Sequence, residues 1–319
     1  MAATGSAPAS AGSSSVFNLE GEGQSLADRL PDLMLDALRV ANTVTHGIHG
    51  RRRAGTGETF WQFRQFNQAS DAATLIDWRR SASSDNLYVR EREWEAAHTF
   101  WLWSDISPSM MFQSHLSSTP KRDRALVLTF AIAELLVRAG ERIALMGLTL
   151  PMASRKATAR MAETLAANES DPMLKSSMPP KARLSRFSSA ILIGDFLDPP
   201  DVIAARLKEM AEGDVTGHLI QILDPAEETL AYEGRMEFRS PEGPDRWVAD
   251  RVETLRPQYQ KKLAAHRAAI EEAARRMGWS FLVHHTDRPA AEPLLTLIMR
   301  LQGMASDYRW KPESSGGAS

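Results

Sequence analysis

The chain has 319 residues, 43% of them hydrophobic, with 38 Lys and Arg against 40 Asp and Glu and a formal net charge of −2. That apolar mass suffices for one large domain or two small ones, and the missing basic excess argues against a nucleic-acid or other polyanion binder. The absence of cysteine excludes disulfides, thiolate metal sites and a cysteine nucleophile, and it fits a reducing compartment.

Between Met1 and Ser15 nearly every residue is Ala, Ser, Gly or Thr. Such a segment buries too little to offset its ordering entropy, so a disordered tail is expected over 1–24. It has neither the basic start nor the apolar core of a secretory leader. No stretch approaches the roughly 20 apolar residues that span a bilayer, so a cytoplasmic protein with no membrane span is expected. Residues 25–45 place Leu26, Leu30, Leu33, Met34, Leu38 and Val40 at helical spacing. Ser25 suits the N-cap, and Pro31 is expected to break the helix near its start. Residues 46–98 mix Gly, Arg and aromatics with poor periodicity, although "NLYVRERE" alternates like an edge strand. Residues 25–98 therefore read as a helix followed by an irregular β module.

From Thr99 the pattern becomes regular. Apolar runs at 99–105, 142–150, 190–196, 217–224 and 279–287 read as strands. Between them, 122–140, 155–168, 200–213, 251–278 and 291–303 read as helices, with a loop over 169–188 and a hairpin over 235–250. Strands alternating with helices imply an α/β domain over 99–305, a mostly parallel sheet with helices on both faces, and a flexible tail over 306–319. Ligands of such sheets sit at the carboxyl ends of strands, near a topological switch point. Asp105, Asp195, Asp224 and Asp287 all fall at expected strand ends.

"WLWSDISPSM" (101–110) ends a buried run in Asp105-x-Ser107-x-Ser109. In a tight loop, alternate side chains turn toward one point, and a carboxylate with two hydroxyls makes half an octahedron of hard oxygens. Mg²⁺ takes such donors readily, and Asp195 at the end of another strand supplies a second carboxylate. The plainer alternative is that Asp105 and Ser107 only cap the loop and the following helix.

The segments "HGRRRAGTGETFWQFRQF", "SDAATLIDWRRSA", "LYVREREWE", "WLWSDISPSM" and "LIGDFLDPP" together resemble the von Willebrand factor A-like proteins of the family called domain of unknown function 58. The likeness runs from about Thr45 to Gly303. It implies a von Willebrand A (Rossmann-like) fold with a metal-ion-dependent adhesion site. Asp105, Ser107 and Ser109 match that motif, and Asp195 matches its later aspartate. The motif's threonine has no clear match; Thr149 and Thr158 lie in the right interval. The family's Gly and Arg in the "SDAATLIDW" and "RRSA" segments are replaced by Ser70 and Ser83. The resemblance further implies Mg²⁺ or Mn²⁺ with one position open to a carboxylate of an acidic partner protein. It also implies a MoxR-type AAA ATPase partner and a chaperone-like role in complex assembly.

Two rival readings stand beside this non-enzymatic one. In the first, Asp105 is the nucleophile of a Mg²⁺-dependent hydrolase or phosphotransferase. Familiar enzymes of that kind want an acid two residues later, where this chain has Ser107, and no Gly-Lys-Ser/Thr phosphate loop is present. In the second, the site is degenerate and the protein a scaffold. His46 and His49, and His284 and His285 beside Asp287, are weaker metal or catalytic candidates. Arg51, Arg52 and Arg53 sit in a segment whose eight Arg face seven acids, so they read as a solvated face. Trp61, Phe63 and Phe66 read as packing residues. Asp77 and Trp78 are expected to fasten their segment to the main domain.

Overall fold

The computed structural model describes residues 26–49, 60–66, 76–82, 86–92, 97–241 and 243–307. Helix α1 (Leu26–His49) buries one stripe, Leu26, Leu33, Ala37, Ala41 and Val44. Pro31 lies inside this helix and does not break it. The lost hydrogen bond is offset by anchors on both sides: Leu26 and Leu33 are buried, and the Leu26 N–H donates to Glu169 at 2.7 Å. Arg29 pairs with Asp123. These contacts attach α1 to the unit formed by the chain up to His46 and from His98 onward. The helix expected to travel with the β module thus belongs with the main domain.

Gly47–Ala97 form a separate unit. Its described part is an antiparallel pair, β1 (Phe60–Gln65) and β2 (Tyr88–Arg92), with the short α2 (Trp78–Ser81) between them in the chain. Asp77 caps α2 by accepting the Arg80 N–H at 3.0 Å. Trp78 is 65% exposed.

In the main unit, β3 (Thr99–Ser104) leads through α3 (Lys121–Arg138) to β4 (Arg142–Leu145). Helix α4 (Ala157–Ala167) then carries the chain to β5 (Ser189–Gly194), and α5 (Pro200–Ala211) to β6 (Thr216–Leu223). A short α6 (Pro225–Thr229) and a hairpin, β7 (Met236–Arg239) and β8 (Arg246–Ala249), precede α7 (Arg256–Arg276), β9 (Ser280–His285) and α8 (Ala291–Asp307). The large sheet has the order β4-β3-β5-β6-β9, and every pair in it is parallel. Alternation along β3 sends Trp101 and Trp103 into one core with Leu192, Leu219, Ile203 of α5 and Ile270 of α7. Helix α3 packs on β3, β4, β5 and β6, and none of its residues joins that core. The result is a mixed α/β domain whose parallel sheet is flanked by helices, as the alternating pattern implied.

The chain leaves β3 toward β4 and then crosses back to β5 on the other side. That reversal is the topological switch point, and the carboxyl ends of β3 and β5 flank it. Two boundaries differ from expectation. The strand at 142–150 stops at Leu145, because the Thr149 hydroxyl accepts the Leu145 N–H at 2.8 Å and Gly147 turns with φ +77°. The long helix starts at Arg256, after a 3-10 turn at Val252–Thr254.

Candidate metal centre

Asp105 extends the β3–β5 pairing by one bond, since its N–H donates to Ile193 O at 2.8 Å. The chain then turns sharply. Asp105 Oδ1 accepts the Ser107 N–H at 2.8 Å, an Asx turn, and a 3-10 turn follows at Pro108–Met111. The turn brings Ser107 Oγ and Ser109 Oγ to 3.1 Å, and Ser109 Oγ donates to Asp195 Oδ2 at 2.8 Å. All four residues singled out by spacing therefore meet in one hydrogen-bonded cluster. Gly194 permits the close approach: a Cβ there would lie 2.9 Å from Asp105 Cβ and 3.3 Å from Asp105 Oδ2.

The cluster is dry. Asp105 is 0% and Asp195 1% exposed, and Asp105 Oδ2 is buried without a hydrogen-bond partner. Burial first, and the Asp195 charge second, push the Asp105 carboxyl up to about 7, against the pull of Ser107 and Lys121.

Lys121, at the first position of α3, was not singled out by the sequence. It is fully buried, with Nζ 3.0 Å from Asp195 Oδ2 and 2.6 Å from Glu227 Oε1. Burial disfavours the ammonium, but the Glu227 and Asp195 carboxylates outweigh it and hold Lys121 above its ordinary pKa. Glu227 is placed by a capping box: Asp224 accepts the Ala226 N–H, and Glu227 accepts the Asp224 N–H. The Asp224-x-x-Glu227 spacing was a readable signal for that box. Nothing near Lys121 in the chain marks it as buried. Gln221, also fully buried, donates to Asp195 O at 2.8 Å and steadies the end of β5.

Lys121 answers Asp195 and Glu227, and the partnerless Asp105 Oδ2 beside them is the oxygen that a small, hard divalent cation would take. Asp105 and the Ser107 and Ser109 hydroxyls are the available donors. Asp195 Oδ2 is already shared by Ser109 and Lys121, so Asp195 stands behind them. Among the described residues no three His, Cys, Asp or Glu side chains converge on one point, so such a centre depends on hydroxyl donors.

The candidate threonines are engaged elsewhere. Thr149 closes the turn after β4, and Thr158 donates to Glu134 of α3 at 3.3 Å. His284 is buried and pushed down to about 3, chiefly by desolvation, while His285 lies 3.3 Å from Glu228. No hydrogen bond or ion pair found for His284, His285 or Asp287 reaches the Asp105 cluster. The side chains of His46, His49, Trp61 and Phe63 lie outside the described residues, as do Arg51, Arg52 and Arg53.

Residues 62–269, more than half of the chain, match the family described as protein of unknown function DUF58. The chain belongs to the DUF58 family. This DUF58 protein is 26% identical over 287 residues to uncharacterized protein Rv1480 of Mycobacterium tuberculosis, covering 82% of this chain and 86% of that relative. The figures are the same for uncharacterized protein Mb1516 of Mycobacterium bovis. Among solved structures, the conserved hypothetical protein BatB from Bacteroides thetaiotaomicron aligns with 13% identity and a TM-score of 0.37, over 65% of this chain and 100% of that one. An aerotolerance-related membrane protein from Bacteroides fragilis aligns with 14% identity and a TM-score of 0.35, over 64% and 98%. Among the described residues of this chain, no helix is long and apolar enough to cross a membrane.

Proposed function

We propose that this DUF58 protein is a non-enzymatic, metal-dependent protein-binding module of von Willebrand A type. Asp105, Ser107 and Ser109 would hold Mg²⁺ or Mn²⁺, with Asp195 positioning Ser109 from behind. A cation so held offers an open coordination position to an acidic side chain of a partner. The observation that carries the reading is the buried, partnerless Asp105 Oδ2 beside a second carboxylate at the switch point. Following the family resemblance, we assign a MoxR-type AAA ATPase as the working partner, in chaperone-like complex assembly.

Lys121 favours one rival, a scaffold in which the ammonium alone balances the acids and no metal binds. Calorimetric titration of the full chain with Mg²⁺ and Mn²⁺ separates the two. The metal-dependent reading expects one saturable site, lost in Asp105→Ala with the circular dichroism of the fold unchanged. No heat from the native chain would establish the scaffold. Capture of the ATPase should likewise disappear with Asp105→Ala and with chelator.

A further inference from the structure

A cavity of about 450 Å³ opens beside the candidate metal centre, and Ser109 and Asp195 belong to both. Its apolar walls come from separate parts of the chain: Phe112 after the 3-10 turn, Leu197 after β5, Tyr232 before β7, Phe238 in the hairpin and Tyr259 in α7. These walls are braced. Tyr259 Oη donates to Glu227 O at 2.5 Å, the Tyr232 and Phe238 rings lie 6.4 Å apart edge to face, and Phe238 stacks on Trp247 at 5.8 Å. The volume falls in the range of roughly 300–1,000 Å³ typical of preformed ligand pockets.

The charges lining the cavity restrict what can enter. Asp195 and Glu227 are both answered by Lys121, and Glu237 pairs with Arg239 at 3.1 Å. A further cation gains little there. Asp198, half-buried, is the remaining acid of the lining and disfavours a second carboxylate. What stays unmet is the apolar surface of Phe112, Leu197, Tyr232, Phe238 and Tyr259.

We infer that this cavity is the second half of a bipartite acceptor, taking a bulky apolar side chain, preferentially aromatic, from the same partner segment whose acidic residue reaches the cation. The inference rests on the metal-dependent reading above. Because Ser109 belongs to both halves, two residues of one short segment can serve them. In an extended segment, residues i and i+2 share a face and lie roughly 6.6 Å apart, so the pattern is acid-x-aromatic.

Two capped pentapeptides, acetyl-Gly-Asp-Gly-Phe-Gly-amide and its Gly-Asp-Gly-Ala-Gly counterpart, test this when titrated against the full chain with Mg²⁺. Burying the ring predicts that the Phe peptide binds about tenfold tighter or more. Leu197→Trp, at a wall position 45% exposed, should fill the mouth. It should bring that ratio near one while the Ala peptide binds as it does to the native chain. Equal binding of the two peptides by a native chain that still takes up Mg²⁺ would overturn the bipartite site alone. A Phe preference that persists undiminished in chelator would overturn the coupling of the two halves. Failure of the native chain to bind Mg²⁺ would instead overturn the metal reading beneath it.

Discussion

Asp105 and Asp224 each follow a buried strand of the same sheet, β3 and β6, and each is 0% exposed. Their surroundings differ. Asp224 accepts bonds from the Ser114 N–H at 2.9 Å, the Ser114 hydroxyl and the Ala226 N–H at 2.9 Å. Asp105 accepts the Ser107 N–H on Oδ1 and leaves Oδ2 empty-handed beside Asp195. One acid ties a loop and a helix cap together; the other stores an unmet demand. Burial at a strand end is common to both, so it is the unmet acceptor that separates a site from a cap.

The largest effect should come from the group that both regions lean on. Lys121→Met leaves Asp195 and Glu227 buried without their cation and should cost about 3–5 kcal/mol in urea unfolding. A loss under about 1 kcal/mol would mean that the acids are not ionised together. Asp224→Ala should follow, at roughly 2–3 kcal/mol, because it removes a helix cap and strands two buried N–H donors.

Asp105→Asn should have the opposite sign. The Asp105 pKa is raised to about 7, so its favourable contribution is complete below the unfolded value and is lost as pH rises through about 7. At pH 8 the metal-free Asn variant should be more stable than the native chain by about 1–2 kcal/mol, and near pH 4 the gain should vanish. Added Mg²⁺ should stabilise only the native chain. If Asp105→Asn and Asp224→Ala destabilise alike, the contrast between the two acids fails.

A histidine background must be separated from this effect. Burial, with Arg300 as the lesser cause, pushes His218 down to about 4, and burial with Arg124 pushes His284 down to about 3. Both are neutral in the fold and charge on unfolding. Their contribution is complete above the unfolded pKa of about 6.5 and is lost as pH falls through the folded values, at about 1 kcal/mol per pH unit for each group. Between pH 4 and 7 this trend runs against that of Asp105. Thermal melts of Asp105→Asn should therefore show a clean loss toward acid, which His218→Gln should flatten.

The parallel α/β domain was legible because its strands are continuous apolar runs and its helices carry period-3.6 stripes. Asp105, Ser107 and Ser109 were legible because their geometry is local: an Asx turn and a 3-10 turn lie within five residues. Asp195 was legible as the end of another apolar run. Helix continuity through Pro31 was not, since it depends on Leu26 meeting Glu169, 143 residues away. Lys121 was hidden for the same reason. At the start of a helix a lysine reads as a solvated charge, and only the meeting of β5 and α6 supplies the carboxylates that bury it. The cavity combines residues from Ser109 to Tyr259, and no local pattern marks its walls. Hydrophobic period and turn chemistry act over a few residues, so the sequence alone determined the alternating strands and helices and the oxygen-rich turn. Charge balance and enclosed space arise where distant segments meet, so only the tertiary structure decided which acid is satisfied, which is not, and what lies beside it.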